Sequence, residues 1–80
     1  MIEVNVTLGI FGEGFECTAP SGRYFADSGM VIAPDGTTVG EYDTSDEIGT
    51  QMTTIERVVG TVEGSLHRMA EAMATGTIAA

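Results

Sequence analysis

An 80-residue chain has room for one small domain with a single core. Its 12 acidic residues face only three arginines, a formal net charge of −9, which excludes direct binding to nucleic acid or to an anionic membrane through a cationic surface. One cysteine and one histidine exclude an intramolecular disulfide and a Cys/His zinc cage, so oligomerisation is the support that remains open to such a small domain.

The first half of the chain predicts an antiparallel sheet. Residues 2–10 alternate apolar and polar side chains, which is the period of a half-buried strand. Further strands are expected in "FECTA" (15–19), "RYFAD" (23–27), "MVIA" (30–33) and "TTVGEY" (37–42). Glycine-containing turns at 12–14, 20–22, 27–29 and 34–36 separate them. Connections this short favour an antiparallel meander over a parallel sheet.

A single helical segment is expected after the strands. Thr44 followed by Glu47 matches a capping box, and Gly76 is a natural stop, so the helix is predicted from 44 to 75 with a frayed tail at 76–80. The glycines at 60 and 64 lower helix propensity and leave open a continuous, bent or broken helix. The predicted fold is therefore α+β: a four- to five-stranded antiparallel meander over 1–43, followed by one long C-terminal helix packed on the sheet.

An apolar stripe runs along this helix at alternating spacings of four and three residues: Ile48, Met52, Ile55, Val59, Val62, Leu66, Met69 and Met73. Such spacing is the a/d heptad of a coiled-coil seam. A helix of this length is about 45 Å long, whereas a five-stranded sheet is about 24 Å wide. The first half of the stripe is therefore expected to cover the sheet, and the second half to overhang and meet a second copy or another partner. We expect a homodimer, with these interface residues: Val59, Val62, Leu66, Met69 and Met73.

The negative charge is concentrated in the first half of the chain. Residues 1–47 carry a net charge of −8 and residues 48–80 carry −1, and the densest cluster is "EYDTSDE" at 41–47. This stretch lacks the ligand order of a calcium loop. It is either a solvated face beside a helix N-terminus or a surface that docks on a basic groove, including one that normally holds nucleic acid. The candidate partner-binding residues are Glu41, Asp43, Asp46, Glu47, Asp35 and Glu16.

His67 is a weak candidate for a metal ligand. It lies four residues from both Glu63 and Glu71, a spacing that places the three side chains on one helix face. No second histidine or cysteine is near in sequence, so an ordinary exposed histidine is favoured.

Two further features also favour structural interpretations. Cys17 alternates with Phe15 and Ala19 on the expected inner face of the sheet, so it is predicted to be a small core residue. The stretch "GIFGEG" (9–14) has the wrong glycine order for a phosphate loop and precedes a strand. We therefore expect no catalytic, cofactor-binding or metal-binding residues, and predict that the chain is not an enzyme.

Location follows from the lack of targeting signals. The start Met1-Ile2-Glu3 brings no basic segment and no long apolar core, so no signal peptide is expected. The longest aliphatic run, residues 30–33, is too short to cross a bilayer. A lone cysteine fits a reducing compartment, so a cytoplasmic location is expected, or the host cytoplasm if the chain is phage-encoded.

In size, acidity and lack of catalytic apparatus the chain resembles the small inhibitors that phages make against host defence systems, including anti-CRISPR proteins; the likeness is one of composition. It implies a non-enzymatic viral protein, a nucleic-acid mimic that inhibits a partner by docking on its basic surface. The alternative is a self-assembling structural or adaptor protein that uses its C-terminal helix. A third hypothesis, a small metal or thiol enzyme, rests on His67 or Cys17.

Overall fold

Five antiparallel strands and one helix follow each other in a computed structural model that describes residues 2–9 and 14–76. The elements are β1 (Asn5–Leu8), β2 (Phe15–Ala19), β3 (Gly22–Asp27), β4 (Met30–Ile32), β5 (Thr38–Glu41) and α1 (Ile48–Thr75). Each strand pairs with its neighbour in sequence, in the order β1-β2-β3-β4-β5, and α1 packs on the sheet. The predicted α+β fold is confirmed. Residue 10, most of the predicted turn at 12–14 and residues 77–80 of the predicted frayed tail lie outside the described residues.

Short turns with left-handed residues make this meander possible. Ser28 (φ 53°) and Gly29 (φ 84°) form the two-residue β3–β4 connection, and both have the positive φ that a type I′ hairpin requires. In the β4–β5 turn, the backbone N–H of Thr37 donates to Asp35 Oδ1 at 2.9 Å, while Gly36 has a φ of 89°. The turn predicted at 34–36 is thereby confirmed.

The helix begins later than the sequence predicts. Its first residue is Ile48, its N-cap Glu47 is extended (φ −62°, ψ 152°), and no side chain caps the helix, so the predicted capping box at Thr44 is wrong. Asp43 Oδ1 instead accepts hydrogen bonds from the Ser45 backbone N–H (2.9 Å) and hydroxyl (2.6 Å). Such local side-chain bonds compete with helix formation and hold these residues as a turn.

Once started, α1 is continuous to Thr75 through Gly60 and Gly64. It ends as predicted at Gly76, whose φ of 70° is left-handed and whose N–H donates to the carbonyls of Ala72 and Met73. Burial of the helix against the sheet outweighs the weak propensity of the glycines.

Among residues 2–9 and 14–76, no helix combines the length and apolarity needed to cross a membrane.

The core lies between α1 and one face of the sheet. Alternate residues of β2 and β3 point toward the helix, and the buried apolar set is Phe15, Cys17, Ala19, Tyr24, Ala26, Val31, Tyr42, Ile55 and Val59. The rings of Phe15 and Tyr42 meet edge to face, with centroids 5.9 Å apart. The helix therefore covers the inner sheet face with its first half, as predicted.

One glycine sets how closely helix and sheet approach. A Cβ added to Gly40 on β5 would lie 2.6 Å from Cγ1 of Val58, a branched side chain with little freedom to move. By contrast, a Cβ added to Gly60 in α1 would meet nothing within 4 Å. The same substitution should therefore have opposite effects at the two positions.

We expect Gly40→Ala to lower the free energy of unfolding by about 1–3 kcal/mol through overpacking, and Gly60→Ala to raise it by about 1 kcal/mol through better helix propensity. Urea unfolding curves measure both changes. Adding Val58→Ala to Gly40→Ala should restore part of the loss, because the clash is then removed. Equal effects at the two glycines would contradict the close approach at Gly40.

The helix extends well past one end of the sheet. The molecule measures 44 × 22 × 19 Å, and every residue from 65 to 71 on α1 is exposed. We call residues 65–76 the overhang. It emerges beside the β2–β3 and β4–β5 turns, at the opposite end of the sheet from Asp43 and the start of the helix. The predicted overhang is confirmed.

Candidate functional site

Three of the predicted acidic residues come together at the N-terminal end of α1. Glu41 at the end of β5 and Asp43 and Asp46 in the following turn line one shallow depression of about 410 Å³, together with Tyr42. Glu47 follows directly as the N-cap of the helix and is exposed. We call Glu41, Asp43, Asp46 and Glu47 the acidic end.

The structure does not bring the other two predicted residues to this cluster. Asp35 lies in the β4–β5 turn, so the length of β5 separates it from Glu41. Glu16 lies on the outer face of β2, between Thr7 on β1 and Phe25 on β3. Asp35 is near Glu41 in sequence, but β5 runs from one end of the sheet to the other between them. The two residues therefore lie at opposite ends of the β4–β5 hairpin.

Ion pairs within the described part of the chain do not neutralise the carboxylates of the acidic end. Hydrogen bonds from the Ser45 side chain and backbone hold the pKa of Asp43 below its ordinary value, so it is ionised at neutral pH. Within residues 2–9 and 14–76, no arginine or histidine forms an ion pair with these four residues. Arg57 lines a different depression, together with Val39. The acidic end is thus a patch of negative charge that has no ion-pair partner among residues 2–9 and 14–76.

A buried carboxylate on α1 is a feature that the sequence analysis missed. Glu63 is only 4% exposed. Its Oε1 accepts a hydrogen bond from the Ser21 backbone N–H at 2.8 Å, and its Oε2 accepts from the Tyr24 hydroxyl at 2.7 Å and from the Ser21 hydroxyl. These bonds join the helix to the β2–β3 turn and to β3. The available signal was the position of Glu63 four residues after the buried Val59 on the same helix face.

The hydrogen bonds decide the charge of this carboxyl group. Burial alone disfavours the ionised form of Glu63, but the bonds from Ser21 and Tyr24 outweigh it and lower the pKa. Burial, together with the bond to Glu63, raises the pKa of the Tyr24 phenol. At neutral pH the carboxylate is therefore charged and the phenol protonated. With its oxygens engaged in this way, Glu63 fastens the helix to the sheet.

Cys17 lies where the sequence predicted, in the core, with 1% of its surface exposed. Burial, and then the charges of Glu56 and Glu63, raise the pKa of its thiol to about 11. The thiolate is the reactive form of cysteine, so at neutral pH this side chain is a shielded, protonated thiol.

His67 is exposed, and its Nε2 lies 3.7 Å from a carboxylate oxygen of Glu71. Glu63 turns away from it toward Ser21 and Tyr24, so the three side chains proposed as a metal-binding group do not converge. Across the described ranges 2–9 and 14–76, no group of three such ligands has the geometry of a metal site.

An apolar groove lies where the helix leaves the sheet. Val62 and Leu66 on α1 face Pro34 and Val39 across a space of about 320 Å³, which Tyr24 also lines. Of the residues predicted for an oligomer interface, Val62 and Leu66 thus line the groove, and Met69 and Met73 follow them on the overhang.

Val59 does not belong to that surface. It is fully buried against the sheet, with 0% of its surface exposed, so it cannot contact a second copy and its prediction as an interface residue is wrong. A heptad pattern shows which helix face is apolar, but not where along that face the cover of the sheet stops.

No protein-family description matches the chain, and comparisons with curated proteins and with solved structures likewise find no match.

Proposed function

We propose that the chain is a non-enzymatic binding protein that docks its acidic end on a basic surface of a partner protein and inhibits the partner by occupying that surface. The observation that supports this best is the depression lined by Glu41, Asp43 and Asp46, whose carboxylates form no ion pair within residues 2–9 and 14–76. Carboxylates that form no ion pair within residues 2–9 and 14–76 remain available to arginines and lysines of another molecule.

The charge distribution favours the same proposal. The first 47 residues carry −8 of the −9 formal charges, and the acidic end is the part of this half that clusters them. A field of one sign steers an oppositely charged partner and fixes its orientation on contact. A groove that holds nucleic acid has the matching chemistry, because it is lined with cations spaced to meet phosphates. Composition like that of phage inhibitors agrees with a nucleic-acid mimic of this kind.

A charge-reversal experiment tests this proposal with an arginine-rich peptide as the basic probe. The test variant carries Glu41→Lys, Asp46→Lys and Glu47→Lys, and leaves Asp43 in place because its bonds to Ser45 hold the turn. We expect binding of the fluorescent peptide at low salt to weaken by about tenfold or more, which corresponds to at least ~1.4 kcal/mol.

The control variant carries the same change in net charge elsewhere: Glu3→Lys, Glu16→Lys and Glu56→Lys. We expect it to lose far less affinity, because none of these residues lines the depression. Equal losses in the two variants would mean that the peptide senses net charge alone, and the acidic end would not be the docking surface. Circular dichroism and urea midpoints confirm that both variants remain folded.

A further inference from the structure

The overhang carries an apolar ridge that the described residues, 2–9 and 14–76, leave exposed. Leu66 is 45% exposed, Met69 57% and Met73 70%, and all three continue the stripe that packs on the sheet further up the helix. The groove between α1 and the β4–β5 hairpin lies directly beside Leu66. One end of the molecule therefore presents both an apolar ridge and an apolar groove.

The spacing of the stripe is self-complementary in this region. Val62, Leu66, Met69 and Met73 follow each other at intervals of four, three and four residues, and this series reads the same in both directions. An antiparallel second helix can thus place its Met69 opposite Leu66 and its Met73 opposite Val62. The two-fold axis then passes between residues 67 and 68, and the interface is isologous, as in most homodimers.

Charge and side-chain size permit this approach. The overhang contains one arginine and one glutamate, Arg68 and Glu71, whereas the acidic end lies at the far end of the helix. Two copies that meet through their overhangs therefore keep their acidic ends apart. The positions flanking the ridge hold Ser65, Ala70 and Ala72, which are small enough for two helices to pack closely.

From these observations we propose that a second copy of the chain covers the overhang, in an antiparallel helix pair in which Met73 of one copy enters the groove beside Val62 of the other. The proposal is independent of the role of the acidic end. A seam of four side-chain layers is smaller than a standard interface of about 800 Å² per partner. The dimer should therefore dissociate on dilution.

Sedimentation equilibrium over a wide range of concentration tests the association. We expect the wild-type mass to rise toward twice the 8.3 kDa of one chain. The variant Met69→Glu/Met73→Glu should stay at the monomer mass, because it buries charge in the seam. The control Thr53→Glu/Thr61→Glu adds the same charge on exposed positions of another helix face and should dimerise like the wild type. A monomeric wild type, or a dimer that survives in the methionine variant, would overturn the proposal and leave the overhang to another partner.

Disulfide formation tests the register. Val62→Cys and Met73→Cys are made in separate chains and then mixed under mild oxidation, while the native Cys17 stays protected in the core. The proposed register brings position 62 of one chain to position 73 of the other, but keeps each position about 16 Å from its own copy along the helix axis. We expect a disulfide-linked dimer in the mixture and none from either variant alone. A dimer formed by Met73→Cys alone indicates parallel helices and overturns the register.

Discussion

Replacing Ile55 by alanine is expected to lower the free energy of unfolding by about 3 kcal/mol, the middle of the range for truncating a buried isoleucine. Ile55 is 0% exposed and lies at the centre of the contact between α1 and the sheet. The loss combines the transfer of its side chain to water with the cavity left behind, since the surrounding strands close only partly. In a domain of this size such a loss is a large fraction of the total stability and lowers Tm by roughly 15 °C.

The chain offers a matched control in Ile48→Ala. This is the same substitution on the same face of the same helix, but Ile48 is 56% exposed. We expect a change within about 0.5 kcal/mol, as for surface sites generally. Urea unfolding with circular dichroism measures both variants. Equal destabilisation by the two changes would show that helix propensity, and not packing on the sheet, determines the loss.

The second large effect is expected at Glu63, where Glu63→Gln should lower the free energy of unfolding by about 2 kcal/mol at neutral pH. The amide oxygen can still accept bonds from the hydroxyls of Tyr24 and Ser21. The amide NH₂ then faces the Ser21 backbone N–H, which donates to the carboxylate at 2.8 Å, so two donors meet. The destabilisation reflects a buried donor that has lost its acceptor.

This effect should depend on pH with a defined sign. The pKa of Glu63 is lower in the folded protein than the ordinary 4.5, so its contribution is fully present above 4.5 and is lost as the pH falls through the folded value. The difference between wild type and Glu63→Gln should therefore be largest near neutral pH and shrink in acid. Comparing the two proteins removes the titration of the other carboxyl groups, which they share.

An exposed glutamate about two turns earlier on the same helix provides the control. Glu56→Gln changes the same charge but breaks none of the bonds to Ser21 or Tyr24. We expect little change in the free energy of unfolding at neutral pH or in acid. If the Glu63→Gln difference stayed constant from neutral pH to well below 4.5, the carboxyl would not be ionised in the folded protein.

The fold was largely predictable because its determinants are local. Apolar and polar residues alternate along β2 and β3, and the "DSG" and "PDG" turns each place a glycine at a left-handed position. The start of the helix was misjudged because two local solutions compete there. Thr44 can cap a helix, but the Asp43 bonds to Ser45 hold the segment as a turn for four more residues.

The candidate sites were less predictable because they depend on contacts distant in sequence. Ser21 and Glu63 are 42 positions apart, and only the final packing of helix on sheet brings them together. The grouping of Glu41 with Asp43 and Asp46 follows from their nearness in sequence, whereas the position of Asp35 depends on the direction of β5. Likewise, Val59 and Met73 share one stripe, and the extent of the sheet alone determines which is buried.

The separation of charge and apolar surface to opposite ends of one long helix gives the molecule a permanent electric polarity. In the field of a basic partner, such a particle rotates as it diffuses, so that its negative pole arrives first. A larger fraction of collisions then occurs in the orientation that binds. The association rate should consequently fall as added salt shortens the screening length from about 30 Å at 0.01 M to about 8 Å at 0.15 M, a small fraction of the 44 Å length of the molecule.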